Sequence, residues 1–231
     1  MNKTIRGVLF DKDGTLFDFN ATWAVWAVGA LLDLARGDAA LADDLAARIG
    51  FDRRRVAFDR TSPVIAGTPE EVATLLAAGL PGATPAEVTA RLDEMAAVAP
   101  LAEAVPLAPL MARLRAAGLK LGVATNDAEV PARAHLSAVG ISEAFDFVAG
   151  YDSGFGGKPA PGMCIGFAEE VGLDPAEVVM VGDSLHDLHA GRAAGMAVVA
   201  VLTGTATAAE LAPHADAVLP DIGHLPEWLS L

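Results

Sequence analysis

The chain has one cysteine, Cys164, and only four lysines, Lys3, Lys12, Lys120 and Lys158. It also lacks any apolar run approaching the roughly 18 residues that cross a bilayer as a helix. A lone thiol excludes an internal disulfide, and its place in an apolar stretch after Lys158 marks it as a small buried hydrophobe rather than a nucleophile. Scarce lysine leaves a net charge of -14 with no basic stripe to neutralise phosphates, which excludes a nucleic acid or an anionic membrane as partner. Met1 to Gly7 lead straight into an apolar run rather than a signal sequence, which points to the cytoplasm. Any anionic ligand must be attracted locally against the overall field, so a bound divalent cation and Lys158 become more necessary.

What is present suffices for a core with a smaller inserted module, since 53% of the 231 residues are hydrophobic. Strand-like runs at 5–10, 119–124, 145–149, 178–181 and 197–202 alternate with helical stretches at 107–117, 131–139, 161–171 and 185–194. Such alternation predicts an α/β fold, a parallel sheet with helices on both faces, whose ligands bind beyond the carboxyl ends of the strands. Residues 18–100 break the pattern: they contain no convincing strand, but Thr68-Pro69-Glu70-Glu71 and Thr84-Pro85-Ala86-Glu87 each read as a capping box opening a helix. They are read as a helical insert in a core made of 1–17 and 101–231.

Four signals sit in order at the ends of apolar runs. The first is Asp11-Lys12-Asp13-Gly14-Thr15, where alternate strand residues place both aspartates on one side and Gly14 permits a sharp departure. Two carboxylates this close become favourable if a cation joins them or one of them holds a proton. The second is Thr125-Asn126, a strand stopping on a hydroxyl. The third is Lys158 in Gly157-Lys158-Pro159, within a glycine-rich loop. The fourth is Gly182-Asp183-Ser184 with Asp187 beyond it, and aspartates four apart in a first helical turn face the same way. Asp183 and Asp187 can therefore join Asp11 around one hard cation.

These four ordered motifs resemble those of the haloacid dehalogenase-like hydrolase superfamily, in its phosphoglycolate phosphatase-like branch. The likeness runs from about Ile5 to about Gly204, loosely between the first two motifs. It implies a Rossmann-like core with the first, second and fourth motifs on neighbouring strands, and an α-helical cap at 18–100 that excludes water from the reacting phosphate. It further implies a Mg²⁺-dependent phosphomonoester hydrolase acting on a small phosphorylated metabolite, with 2-phosphoglycolate the first candidate. By resemblance, Asp11 is the nucleophile that becomes a phosphoaspartate, and Asp13 the acid that protonates the leaving group and later activates water. Mg²⁺ would be held by the Asp11 carboxylate, the Asp13 backbone carbonyl and Asp183, with Asp187 a direct or water-mediated ligand. Thr125, the backbone N–H of Asn126, and Lys158 would bind the phosphate.

Other readings stay open beside this one. A sugar phosphomutase shares the four motifs, and a non-catalytic regulatory binding module could share the fold, although intact acids and Lys158 argue against the latter. Dehalogenases lack the second aspartate, so Asp13 favours phosphoryl transfer. A related phosphonate hydrolase uses a cap lysine, and 18–100 contains none. Lys12 is expected to point away from the two aspartates. Ser184 is a helix N-cap or a hydrogen-bonding support for the site. The five histidines read as surface or satisfied groups. Trp23, Val25, Trp26 and Leu31 are expected to form the packed face of the first insert helix. Arg53, Arg54, Arg55 and Arg60 form the densest basic cluster, read as a solvated face paired with Asp52 and Asp59 from which one or two could reach a substrate carboxylate.

Overall fold

A computed structural model describes residues 4–59, 61–65 and 67–231. The chain divides into two compact units, one made of the chain up to Phe19 with Ala102–Leu231, the other of Asn20–Leu101. In chain order the elements are β1 (Gly7–Phe10), a π-helical turn (Asn20–Ala24) leading into α1 (Val25–Leu34), α2 (Ala39–Arg48), β2 (Phe51–Asp52), β3 (Ala57–Phe58), α3 (Pro69–Ala77) and α4 (Pro85–Ala96). They continue as α5 (Leu107–Ala116), β4 (Lys120–Ala124), α6 (Glu129–Ala138), β5 (Phe147–Ala149), α7 (Gly162–Glu170), β6 (Val178–Gly182), α8 (Leu185–Ala193), β7 (Ala197–Val201), α9 (Ala208–Leu211), β8 (Ala217–Leu219) and α10 (Leu225–Trp228).

The larger unit is built on a six-stranded sheet in the order β5-β4-β1-β6-β7-β8, with every pairing parallel. Parallel strands covered on both faces read as continuous apolar runs, and β1 and β6 are buried at every position. The register sets Phe10 beside Val123 on one side and Val181 on the other. Asp11 extends that ladder by one step, its N–H donating to the Val181 carbonyl at 2.8 Å. The strands bearing the first, second and fourth motifs are thus neighbours and end level with one another.

Beneath the strand ends lies a core of Leu9, Met163, Cys164, Phe167, Val178, Met180 and Val198. Gly122 makes room for it: a Cβ there would stand 2.6 Å from the Phe167 ring. Cys164 is fully buried, and burial pushes its thiol up to about 12, so it is inert as a nucleophile. The sixth strand, β8, was not among the expected runs. It is a three-residue, half-buried edge, too short to show a periodic pattern.

The smaller unit is mostly helical, and the two expected capping boxes are formed. Thr68 with Glu71 opens α3 and Thr84 with Glu87 opens α4, each with proline at the start of the helix. Its core joins Ala27, Leu31, Leu45, Ile49, Phe51, Val72, Leu76, Val88 and Leu92. Two expectations need correction here. The insert does contain strands, the antiparallel β2 and β3, held by Phe51 against Phe58 with ring centroids 4.6 Å apart. Two residues per strand leave no alternation to read. Val25 is 57% exposed and does not share the packed face with Leu31 and Trp23, because six residues of regular α-helix separate it from Leu31 and turn it about 120° away. Among the described residues no helix is long and apolar enough to cross a membrane.

Gly122→Ala tests how tightly α7 seats on the sheet. The added methyl must displace a buried ring, so the variant should lose roughly 1–3 kcal/mol of stability in urea denaturation. Unchanged stability would mean that Phe167 repacks without cost.

Candidate active site

The site is assembled at the carboxyl edge of β1, β4 and β6, where the sheet delivers three loops side by side. After Asp11 the chain turns back on itself, with the Lys12 carbonyl accepting from the N–H groups of Leu16 and Phe17 and the Gly14 N–H donating to the Phe17 carbonyl. Gly14 carries this reversal at φ 85°, and a Cβ there would lie 2.5 Å from the Asp183 carboxyl carbon. Gly204, beyond β7, approaches still closer, since its Cβ would fall 1.6 Å from Asp183 Oδ2. The Thr203 hydroxyl donates to the Gly14 carbonyl at 2.6 Å and ties these two loops together. Asp183 therefore sits in a slot with glycine on two sides. Gly204 was missed by sequence reasoning, because a single glycine in a loop carries no signal until its neighbour in space is known.

Asp11, Asp183 and Asp187 bring carboxylate oxygens within 4.8 Å of one another, and all three residues are buried. Lys158 faces them with its Nζ 2.6 Å from Asp11 Oδ1 and 2.6 Å from Asp187 Oδ1. Burial above all pushes the Asp11 carboxyl up to about 7; Lys158 opposes that shift, while the charges of Asp187 and Asp13 add to it. Asp183 is raised well above its usual range, by burial first and then by the charges of Asp11 and Asp187. Burial works against the Lys158 ammonium, yet Asp11 and Asp187 outweigh it and hold the group protonated. With all three ionised, the carboxylates would leave an excess of buried negative charge against one ammonium, which is why Asp11 and Asp183 hold protons more tightly than usual. A donor set made only of carboxylate oxygens suits a hard divalent cation, which would cancel that excess.

The remaining expected residues gather at the same edge. Thr125 is 2% exposed at the end of β4, and its Oγ1 accepts from the Asp127 N–H at 3.0 Å. The Asn126 side chain clamps the lysine loop, Oδ1 accepting from the Lys158 N–H at 2.7 Å and Nδ2 donating to the Lys158 carbonyl at 2.9 Å. Only the Asn126 backbone was given a role from the sequence; the side-chain clamp between distant segments was not legible there. Ser184 binds Asp187 through its N–H and its hydroxyl, at 3.0 and 2.7 Å, so it is both the start of α8 and a support for the site.

The Asp13 carboxylate stands outside the three-carboxylate group. It meets Lys12, whose Nζ lies 2.7 Å from Asp13 Oδ2, so the expectation that Lys12 turns away from the aspartates is wrong. Strand alternation fixes where a Cβ points, but β1 has ended by Lys12 and a four-carbon stem can bend back. In the smaller unit, Arg53 pairs with Asp43 and the Ala39 carbonyl. Asp52 accepts the backbone N–H groups of Arg54 and Arg55 rather than their side chains. Arg60 lies outside the described residues.

A model of the haloacid dehalogenase-like hydrolases matches residues 5–195 of this sequence. The chain belongs to that family. Among curated proteins, the phosphoglycolate phosphatase of Rhodospirillum rubrum is 35% identical over 120 residues, covering 52% of this chain and 50% of that protein. The probable phosphatase IndB of Dickeya dadantii is 31% identical over 223 residues, covering 93% and 88%. The chain thus spans about half the length of the phosphoglycolate phosphatases it matches and most of IndB. The solved structure of CbbY from Rhodobacter sphaeroides in complex with phosphate superposes with a TM-score of 0.75 over 99% of this chain and 100% of that one, at 24% identity. That likeness is one of fold.

Gly204→Ala tests the slot around Asp183. Its methyl group has no room beside the carboxylate, so a divalent cation held by Asp183 should bind about tenfold or more weakly, read by titration calorimetry with Mg²⁺ on the folded variant. Wild-type affinity would show that Asp183 is not held for a cation.

Proposed function

We propose that the protein is a Mg²⁺-dependent phosphomonoester hydrolase that works through a phosphoaspartate on Asp11. The observation that carries this reading is Lys158 bridging Asp11 and Asp187 beside Asp183, with a further acid, Asp13, two residues beyond the nucleophile. A phosphoryl transfer needs an in-line nucleophile, neutralised phosphoryl oxygens and a proton for the departing alcohol. In the reading, Asp11 attacks phosphorus and the bond to the ester oxygen breaks while Asp13 protonates that oxygen. Water then attacks the phosphoaspartate as Asp13 takes its proton, and inorganic phosphate leaves with the Asp11 carboxylate restored.

The electrostatics explain why Asp11 needs help. A carboxyl pushed up to about 7 by burial is a poor nucleophile until positive charge holds it ionised. Lys158 supplies part of that charge. The Asp11, Asp183 and Asp187 carboxylates and the Asp13 carbonyl would hold the cation, whose positive charge would offset the negative charge of the phosphoryl oxygens. Thr125 and the Asn126 backbone would receive the phosphate, with Asn126 keeping Lys158 in reach.

The substrate in this reading is a small phosphorylated metabolite. 2-Phosphoglycolate is the first candidate, given the similarity to phosphoglycolate phosphatases over part of the chain. A lone buried thiol with no second cysteine to pair fits a reducing, cytoplasmic setting.

Phosphate release from a panel of monoesters, with and without Mg²⁺, tests class and substrate together; the panel should hold 2-phosphoglycolate and a sugar bisphosphate. A mutase would return the phosphoryl group to sugar and release little phosphate. Asp11→Asn should lose all measurable turnover while keeping its circular dichroism spectrum, and near-native turnover would refute the covalent route. Mg²⁺ should also raise the unfolding temperature of the wild type, because it binds only the folded cluster. Asp183→Asn should abolish that rise, and an equal rise in both proteins would remove Asp183 from the cation site.

A further inference from the structure

We propose that Lys12 is a positioning residue for Asp13, holding its carboxylate for proton transfer to and from the reacting oxygen. The inference rests on the phosphatase reading, in which Asp13 is the acid and base. Lys12 is 0% exposed, which is exceptional for a lysine and costly unless the charge is satisfied. Its Nζ is 2.7 Å from Asp13 Oδ2, 3.1 Å from Asp127 Oδ2 and 3.1 Å from His135 Nδ1. An ammonium has three donors, and these three partners match them.

The partners come from separate segments. Asp13 lies in the loop after β1, Asp127 in the loop after β4, and His135 on α6. Each is itself fixed. Asp127 Oδ1 accepts from the Ala128 N–H at 2.9 Å, and the Asp127 N–H donates to Thr125 Oγ1. With Lys12 donating, His135 Nδ1 is the acceptor and its Nε2 carries the proton. The ring packs edge-on to Phe17 with centroids 6.2 Å apart, and Phe17 forms a backbone bridge with Asp13. Lys12 is thus a rigid buried post between the first two motif loops, and Asp13 Oδ2 is anchored to it.

Such a post does something that general support of the fold does not. Asp13 matters most when the departing group is a poor one, because an acidic phenol leaves without a proton donor. A displaced Asp13 should therefore slow phenyl phosphate, whose phenol has a pKa of about 10, far more than 2,4-dinitrophenyl phosphate. The ratio of kcat/KM for the two esters, measured on one preparation, cancels the fraction of folded enzyme. It also reports the step in which the ester oxygen departs.

The test uses Lys12→Met, and Lys12→Met combined with Asp127→Asn so that Asp13, the residue under test, is the one carboxylate left without the ammonium. The expected result is a loss for phenyl phosphate at least about tenfold greater than for the dinitrophenyl ester, the scale of an impaired general acid. Equal losses for both esters, no loss, or failure of both variants to fold would each overturn the assignment and leave Lys12 a residue of the fold alone. If the wild type releases phosphate from neither ester and from no member of the metabolite panel, the phosphatase reading itself fails, which is a separate and recognisable outcome.

Discussion

Three buried carboxylates confront a single buried ammonium at the edge of the sheet, and much of the surrounding structure exists to keep them there. Asp11, Asp183 and Asp187 would repel one another in an interior of low dielectric, and Lys158 answers only part of that charge. The arrangement is stable only because other interactions hold each group in place. Asn126 grips the lysine loop through two hydrogen bonds, Ser184 grips Asp187 through two more, and Gly14 and Gly204 leave Asp183 a slot that any side chain would fill. In the proposed reading, a charge cluster held this firmly is prepared for a cation and an anionic ligand before either arrives.

The parallel sheet makes this economical. With β1 between β4 and β6 in a register that leaves their ends level, three loops distant in sequence meet without long excursions. The apolar core under the strand ends has no comparable chemistry to perform, and its one nucleophilic atom, the Cys164 sulfur, is kept protonated by burial. Reactivity is confined to the polar rim of an otherwise inert layer. The smaller unit, by contrast, is stabilised by helix packing and two capping boxes, and its charged residues pair largely with one another.

Lys12 extends the same logic to the second aspartate of the first motif. A fully buried lysine between two carboxylates and an imidazole nitrogen joins the loop after β1 to the loop after β4, the two segments that in our reading carry the acid and the phosphate-binding hydroxyl. Burial would lower its affinity for a proton, but Asp13 and Asp127 outweigh that penalty and keep it charged. Two lysines, each enclosed by acids, thus organise the site of a chain that carries only four.

The sequence by itself determined the family, the parallel α/β architecture and the capping boxes of α3 and α4, because these depend on periodicity and on residues within a few positions of one another. It also brought out the residues of the three-carboxylate cluster, since strand-end aspartates in ordered motifs carry a local pattern. What it left undecided depends on distance in space. The β2–β3 pair and β8 were too short to show a period. The glycine slot around Asp183, the Asn126 clamp and the direction of Lys12 were decided only by the tertiary structure. Each is a relation between segments that the chain separates by tens to nearly two hundred residues, and a flexible side chain or a missing Cβ acquires meaning only from the neighbour the fold brings to it.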